Sequence, residues 1–314
     1  MANTLYTAPD VVALANALAS KDLVLAQTIN RDYEANYGGG KGTSVNVRVP
    51  AVLKARTRDL TESGVTGQNS AFVVDTVTET TFTVSLDENP YSVVALNDRE
   101  RTFELEDFGR QVLAPQIDAL VDWVESKVAA EMTALAETAT IAAGGAYDPL
   151  DPTKTFTAIR KLLRDNGLPT TGLMAACGTK VYKNLVDAKV FSDLGTQATN
   201  PSTGARPVAG FETFETNRLA EDDIVFYHKA AFTLAVRAPQ APNGAPFSAS
   251  VSSNGFAMLH IQDYDSQIGS DRSLLSTFIG TQYIPARKVD RSGATAVIAT
   301  VPSAYRINTT TVAA

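Results

Sequence analysis

The sequence is poor in the residues that carry most protein chemistry. One cysteine in 314 residues, Cys177, excludes an internal disulfide framework and any cysteine-cluster metal site. Two histidines, His228 and His260, leave little for imidazole catalysis or a zinc centre. No apolar run approaches the ~18–20 residues that a bilayer-spanning helix needs. Met1-Ala2-Asn3-Thr4 shows no basic segment leading into an apolar one, so no secretion signal is expected. Basic charge is short too: 27 Lys and Arg face 34 Asp and Glu, a net charge of −7. That balance argues against a stand-alone nucleic-acid binder, whose affinity rests on a basic footprint.

Enzyme signatures are missing in the same way. There is no Gly-x-Ser-x-Gly elbow, no HExxH, no GxGxxG and no kinase set. Gly38-Gly39-Gly40-Lys41-Gly42-Thr43 resembles a phosphate loop only superficially, because Gly42 separates Lys41 from Thr43 and a helix precedes where a strand is required. It reads as a hinge. His260, Asp263 and Asp265 form an H-x-x-D-x-D cluster that could hold a divalent cation, but in an extended segment His260 points away from the two carboxylates. A polar turn is the plainer reading there, and a turn before a strand is the plainer reading of Asp222-Asp223. Cys177 has Lys180 nearby but no base, which makes it a small core residue. No catalytic, cofactor-binding or metal-binding residue is expected.

What the chain does contain is length and pattern. At ~150 residues per domain it has room for about two, and 44 % hydrophobic residues suffice for a sizeable core. Residues 1–37 read as a helical arm: Asp10 can cap Val11, Leu14 and Leu18, and Leu23, Leu25, Ala26, Ile29 and Tyr33 continue the stripe to Gly38. So short a helix is marginal alone and must pack on something. From Ser44 the period falls to two, with Val45, Val47 and Val49 on one face. Phe82, Val84 and Leu86 answer them after a polar tip around Asp59–Ser70. The pair reads as a two-stranded ribbon of about 14 residues a side, roughly 45 Å long. A lone ribbon is barely stable, and its open edges invite another chain.

The strongest helical stripe follows: Leu105, Phe108, Val112, Leu113, Ile117, Leu120, Val121, Val124, Val128, Met132 and Leu135. It predicts a rod of about 30 residues, or 45 Å, bent or divided by Pro115 near Gln111–Ala114 and ended by Gly144-Gly145. Beyond it, helices are expected over Thr153–Asn166 and Lys180–Asp187. Strands are expected over Leu173–Ala176, Ile224–Tyr227, Phe232–Val236, Tyr283–Pro285 and Ala296–Val301, with loops at Gly195–Gly210 and Pro239–Pro246.

At the junction of ribbon and rod the sequence resembles the major capsid proteins of tailed bacteriophages, most closely the coat proteins of short-tailed Salmonella phages and their actinobacteriophage relatives. Phe103–Glu131 carries the likeness best, with Glu106-Asp107-Phe108-Gly109-Arg110-Gln111-Val112-Leu113-Ala114-Pro115-Gln116 resembling the family's entry into its spine helix. Leu168-Pro169-Thr170-Thr171-Gly172 resembles the turn before a central strand, although Leu173 stands where many relatives have arginine. Phe226–Ala235, Gly255–Asp265 and Gly280 resemble later family elements.

The resemblance implies an α+β capsid fold of the Hong Kong ninety-seven type. Its parts would be an N-arm (1–40), an extended β-hairpin loop (41–97), a peripheral domain with the spine helix (98–145), an axial domain (146–258), and a return to the peripheral domain with C-terminal strands (259–314). It implies a virion shell of hexamers and pentamers, assembled in the host cytoplasm around double-stranded DNA that it does not read. A separate scaffolding protein and a portal protein are the implied partners, a decoration protein a further one. Neither a fused scaffold nor N-terminal cleavage is expected. Arg56, Arg58, Asp59 and Glu62 near the ribbon tip, and Arg99, Glu100, Arg101, Glu104 and Glu106 at the spine's base, are the expected inter-subunit contacts. An encapsulin-like nanocompartment shell is the alternative, and a metal-dependent hydrolase using Asp263 and Asp265 a third reading.

Overall fold

The computed structural model describes residues 11–13, 15, 23–32, 43–49, 53, 55–57, 72, 74, 77, 79–96, 109–137, 147–193, 204–245, 247–253, 256–267, 269–290 and 297–310. In chain order, helical residues at 11–13 and 15 are followed by a short helix α1 (Leu25–Thr28), then β1 (Ser44–Val49), β2 (Thr80–Ser85) and β3 (Tyr91–Leu96). A π turn over Gly109–Leu113 leads into α2 (Ala114–Thr133), the spine. Next come α3 (Thr153–Asp165), β4 (Leu173–Cys177), α4 (Thr179–Asp187), α5 (Val190–Asp193), β5 (Arg206–Val208), β6 (Phe211–Glu215) and β7 (Asp223–His228). A 3-10 turn (Lys229–Ala231) precedes β8 (Phe232–Arg237), β9 (Phe247–Ser253), β10 (Phe256–Asp265), β11 (Ser270–Ser276) and β12 (Phe278–Tyr283). The chain closes with β13 (Ala286–Asp290), β14 (Val297–Val301) and β15 (Ala304–Asn308).

A five-stranded sheet, ordered β15-β7-β4-β6-β5, lies at the centre; β4 and β6 run parallel and the other neighbours antiparallel. Both faces are covered, which is why β4 and β7 are apolar without alternation. Leu173, Ala175, Cys177, Ile224 and Phe226 meet Phe156, Ile159 and Leu163 of α3 and Val181 and Leu185 of α4. Met174, Ala176, Val225 and Tyr227 turn the other way, into a core shared with Val121, Val124 and Val128 of α2 and with Leu25 and Ile29. A four-stranded antiparallel sheet, β3-β11-β10-β9, packs near the start of α2. There Gln116 donates to the Ser92 and Ser273 carbonyls at 3.1 and 3.0 Å.

Several expectations are corrected. The N-terminal stripe does not run on as one helix: Ile29 is extended, because Asn30 exchanges main-chain hydrogen bonds with Phe232 and Leu234 of β8. The β1–β2 ladder is six residues a side rather than about 14, from Ser44↔Ser85 to Val49↔Thr80; Leu53, Arg56, Phe72, Val74 and Val77 lie outside any strand. The spine does divide within Gln111–Ala114, as expected, at Leu113–Ala114, with Pro115 in the first turn of α2 where its missing N–H costs nothing. It ends at Thr133, well before Gly144-Gly145. His260–Asp265 is not a polar turn but the second half of β10. The expected loop Gly195–Gly210 contains β5, whose Pro207 is tolerated in the outermost strand of its sheet among the described residues. Leu105, Phe108 and Gly38–Gly40 fall outside the described residues.

Strands pair across the boundaries suggested by the resemblance, β12 of the return segment with β8 of the axial segment among them. β3, from the loop segment, and β9, from the axial segment, both belong to the sheet of β10 and β11, whereas β15 joins the central sheet beside β7.

Candidate self-assembly surfaces

The ribbon's root is fixed by a missing side chain. A Cβ on Gly280 of β12 would lie 1.8 Å from the carbonyl oxygen of Ser85, so only glycine lets β2 settle on this strand. Val84 is fully buried there against Ala235, with Val45, Phe82 and Leu86 around them, and the Arg287 guanidinium sits 5.6 Å from the Phe82 ring centre. Leu86 N–H donates to the Thr43 carbonyl, and Glu88 pairs with Ile279. Further out, apolar side chains among the described residues stand exposed: Phe72 is 79 % exposed, Val74 89 % and Val77 64 %. Exposed apolar side chains of this size are suited to burial against a partner.

A second exposed apolar area lies where the ribbon returns to the body. Glu88, Asn89, Pro90 and Tyr91 with Ala119, Leu120 and Trp123 of α2 line a groove of about 430 Å³. Glu88, on its wall, pairs with Lys127 of α2 at 2.5 Å.

Of the nine charged residues expected to make contacts between subunits, the structure places one. Arg56 is half-buried and engaged by a partner within the chain. Arg58, Asp59, Glu62, Arg99, Glu100, Arg101, Glu104 and Glu106 lie outside the described residues.

The chemistry candidates resolve into structural roles. Asp263 and Asp265 do share a face of β10, but Arg272 of β11 occupies both: Nε and Nη2 donate to Asp263 at 2.7 and 3.0 Å, and Nη1 to Asp265 at 2.7 Å. The guanidinium stands where a divalent cation would have to sit, and its hydrogen bonds hold the Asp263 carboxyl below its usual range. Among the described residues no cluster of three His, Cys, Asp or Glu could hold a metal. His260 points to the other face and is fully buried. Its Nε2 meets the Ser273 hydroxyl at 3.1 Å, and that hydroxyl donates to Gln116 Oε1 at 2.9 Å. The Ser273 proton is thereby used, so Nε2–H is the donor. Burial pushes the imidazole down to about 4. Cys177 is fully buried and its thiol is pushed up by burial, which leaves it inert. Asp222 takes Lys180 at 2.6 Å, and Asp223 is buried under Arg306 and Asn308.

No protein-family model and no curated relative matches the sequence. Solved structures do. A chain of Mycobacterium phage Che8 is 17 % identical, with a TM-score of 0.58 over 92 % of each chain. A chain from the capsid of cyanophage P-SCSP1u is 13 % identical, with a TM-score of 0.55 over 85 % of this chain and 84 % of that one. A chain of the mature capsid of bacteriophage PhiM1 is 12 % identical, with a TM-score of 0.51 over 86 % and 82 %. This chain has the α+β fold of phage capsid subunits.

Reasoning from sequence missed the residues that join the parts: Gly280 as a contact point, Arg272, Arg306 and Glu125. Only Glu125 left a signal. It falls on the buried stripe of α2 with Val121 and Val128, where a carboxylate needs a partner.

Proposed function

We propose that this chain is a major capsid protein of a tailed bacteriophage, of the Hong Kong ninety-seven type, and that copies of it close an icosahedral shell of hexamers and pentamers around double-stranded DNA. The observation that supports this most is the fold shared with the cyanophage capsid chain along 85 % of this sequence. Its role is structural rather than enzymatic. Residues 1–40 serve as the N-arm, 41–97 as the extended loop, 98–145 with 259–314 as the peripheral domain and 146–258 as the axial domain. β3 and β9 complete the peripheral sheet, and β15 the axial one. A separate scaffolding protein guides assembly in the host cytoplasm, a portal protein takes one vertex, and a decoration protein is a further candidate partner.

The physics of assembly fits a ribbon of this kind. A standard interface of ~1,600 Å² yields a gross gain of order 20 kcal/mol, most of it offset by ordering and desolvation. Each contact then stays weak enough to reverse, while several per subunit make the closed shell stable. The test is to express the full chain with and without its scaffolding protein and image the products. Closed shells support the reading, and persistent monomers in both samples overturn it. Nucleic acid inside particles made during infection separates a phage head from an encapsulin-like compartment. Arg58→Glu, placed by sequence near the ribbon tip, is expected to reduce shell yield while leaving the subunit soluble; normal particles would remove Arg58 from the contact.

A further inference from the structure

Polar side chains that could react are mostly occupied within the fold. The Glu125 carboxylate accepts from the main-chain N–H groups of Val24, Leu25 and Ala26 at 2.9–3.0 Å, and Asn308 Nδ2 donates to Asp223 at 2.8 Å. Asn243 differs. It stands exposed in the turn between β8 and β9, and among the described residues neither its side-chain amide nor the Gly244 N–H has a hydrogen-bond partner. Space is open beside Gly244 as well: a Cβ built there would meet nothing within 4 Å.

Asn followed by Gly is the pairing in which a main-chain nitrogen most easily reaches the preceding side-chain carbonyl, because no Cβ shields the approach. The chain contains it three times, at Asn166-Gly167, Asn243-Gly244 and Asn254-Gly255, the last outside the described residues. Asn166-Gly167 is locked at both reacting atoms. Asn166 closes α3 in helical conformation, and its Nδ2 donates to the Pro302 carbonyl at 3.0 Å and the Tyr305 hydroxyl at 2.8 Å. The Gly167 N–H is spent on the Arg164 carbonyl at 2.9 Å, with the glycine held at φ +87°.

We propose that Asn243-Gly244 is a site of spontaneous modification, at which the folded chain converts Asn243 to aspartate and its β-linked isomer, while the fold keeps Asn166-Gly167 unreactive. The Gly244 nitrogen, its proton lost to solvent base, bonds to the Asn243 side-chain carbonyl carbon. The bond from that carbon to Nδ2 breaks, and Nδ2 leaves as ammonia. One water then opens the five-membered imide at either carbonyl. The net change is one water taken up, one ammonia released and one carboxylate gained, which takes the formal charge from −7 to −8. The β-linked product also lengthens the main chain by one carbon just before β9, whose Ser248 hydroxyl is tied back to the Ala245 carbonyl at 3.3 Å. The mark accumulates with the age of each copy.

The test is to incubate the full chain in mildly alkaline buffer, folded and in denaturant, and follow the Asn166, Asn243 and Asn254 peptides separately by mass spectrometry. In denaturant Asn166 and Asn243 should react at similar rates. In the folded chain Asn243 should keep close to its denatured rate. Asn166 should slow by at least about tenfold, since it must wait for the end of α3 to open. Gly244→Ala, for which there is room, should slow the reaction at Asn243. A folded-state rate at Asn243 as low as that at Asn166 overturns the proposal, and so does an Asn166 that reacts equally fast folded and unfolded. Aspartate without the β-linked isomer, or a rate unchanged in Gly244→Ala, would remove the route through the Gly244 nitrogen and the proposal with it.

Discussion

The central sheet and the ribbon are built from the same kinds of residue and meet opposite fates. In the sheet, Phe156, Phe211 and Phe226 stack edge to face with centroids 4.8–6.0 Å apart, and every strand finds covering helices or core within the chain. In the ribbon, Val84 is buried at the root, yet Phe72 and Val74 further along are almost bare. The first region is complete in one polypeptide. On the proposed function the second is completed when another copy supplies the missing side, so that stability of the subunit and stability of the assembly would be carried by different residues and could be broken separately.

The largest effect is expected in the sheet. Phe226→Ala should cost about 3–5 kcal/mol and lower the midpoint of chemical unfolding before assembly is reached. A wild-type midpoint would show that the sheet is not the stable half. Gly280→Val should come next, at about 1–3 kcal/mol or more, because the new side chain collides with main chain at Ser85 rather than with a movable tip. Its distinguishing readout is faster exchange of the β1–β2 amides, with the β4 and β7 amides unchanged; equal loss in both regions would mean that root and sheet unfold together.

A pH scan sharpens the comparison from the side of the four-stranded sheet. His260 is neutral in the fold, titrating near 4 against 6.5 when free. The folded state thus binds fewer protons, and the stability this contributes is present above about 6.5 and lost as the pH falls toward 4. His228 shifts in the same direction, by burial, and adds to the loss. Replacing His260 with Gln should flatten the acid limb of the stability curve measured by denaturant titration, and an unchanged limb would rule it out as the source. The smallest effect on the subunit belongs to Phe72→Ser, within about 0.5 kcal/mol. That same change should lower shell yield, which particle counting would reveal.

How much of this was legible in the sequence follows the same division. Val121, Val124 and Val128 announced the spine, and the apolar run Leu173–Ala176 announced a strand. The meander of β9 to β11 was not legible. Ser248, Ser250, Ser273 and Ser276 blur its alternation, and its polar interior makes sense only once Gln116, 157 positions away from Ser273, comes to sit against it. Asp263 and Asp265 looked like a turn for the same reason: their partner, Arg272, belongs to the next strand. The three-residue β5 with its proline is too short to show a period at all. At the surfaces, the alternation of Val45, Val47 and Val49 in the ribbon was visible, but the bare Phe72, Val74 and Val77 were not singled out, nor was the glycine that seats it on β12, because a close approach leaves no pattern in one chain's alphabet.

Arg306 has a further consequence. Its Nε and Nη2 grip the buried Asp223 of β7 at 3.0 and 2.8 Å, while Nη1 holds the Thr133 carbonyl at the spine's last residue, also at 3.0 Å. One planar fork thus clasps the C-terminal end of α2 and a strand of the five-stranded sheet at once, so the two elements separate only when all three charge-assisted hydrogen bonds of a single side chain give way together.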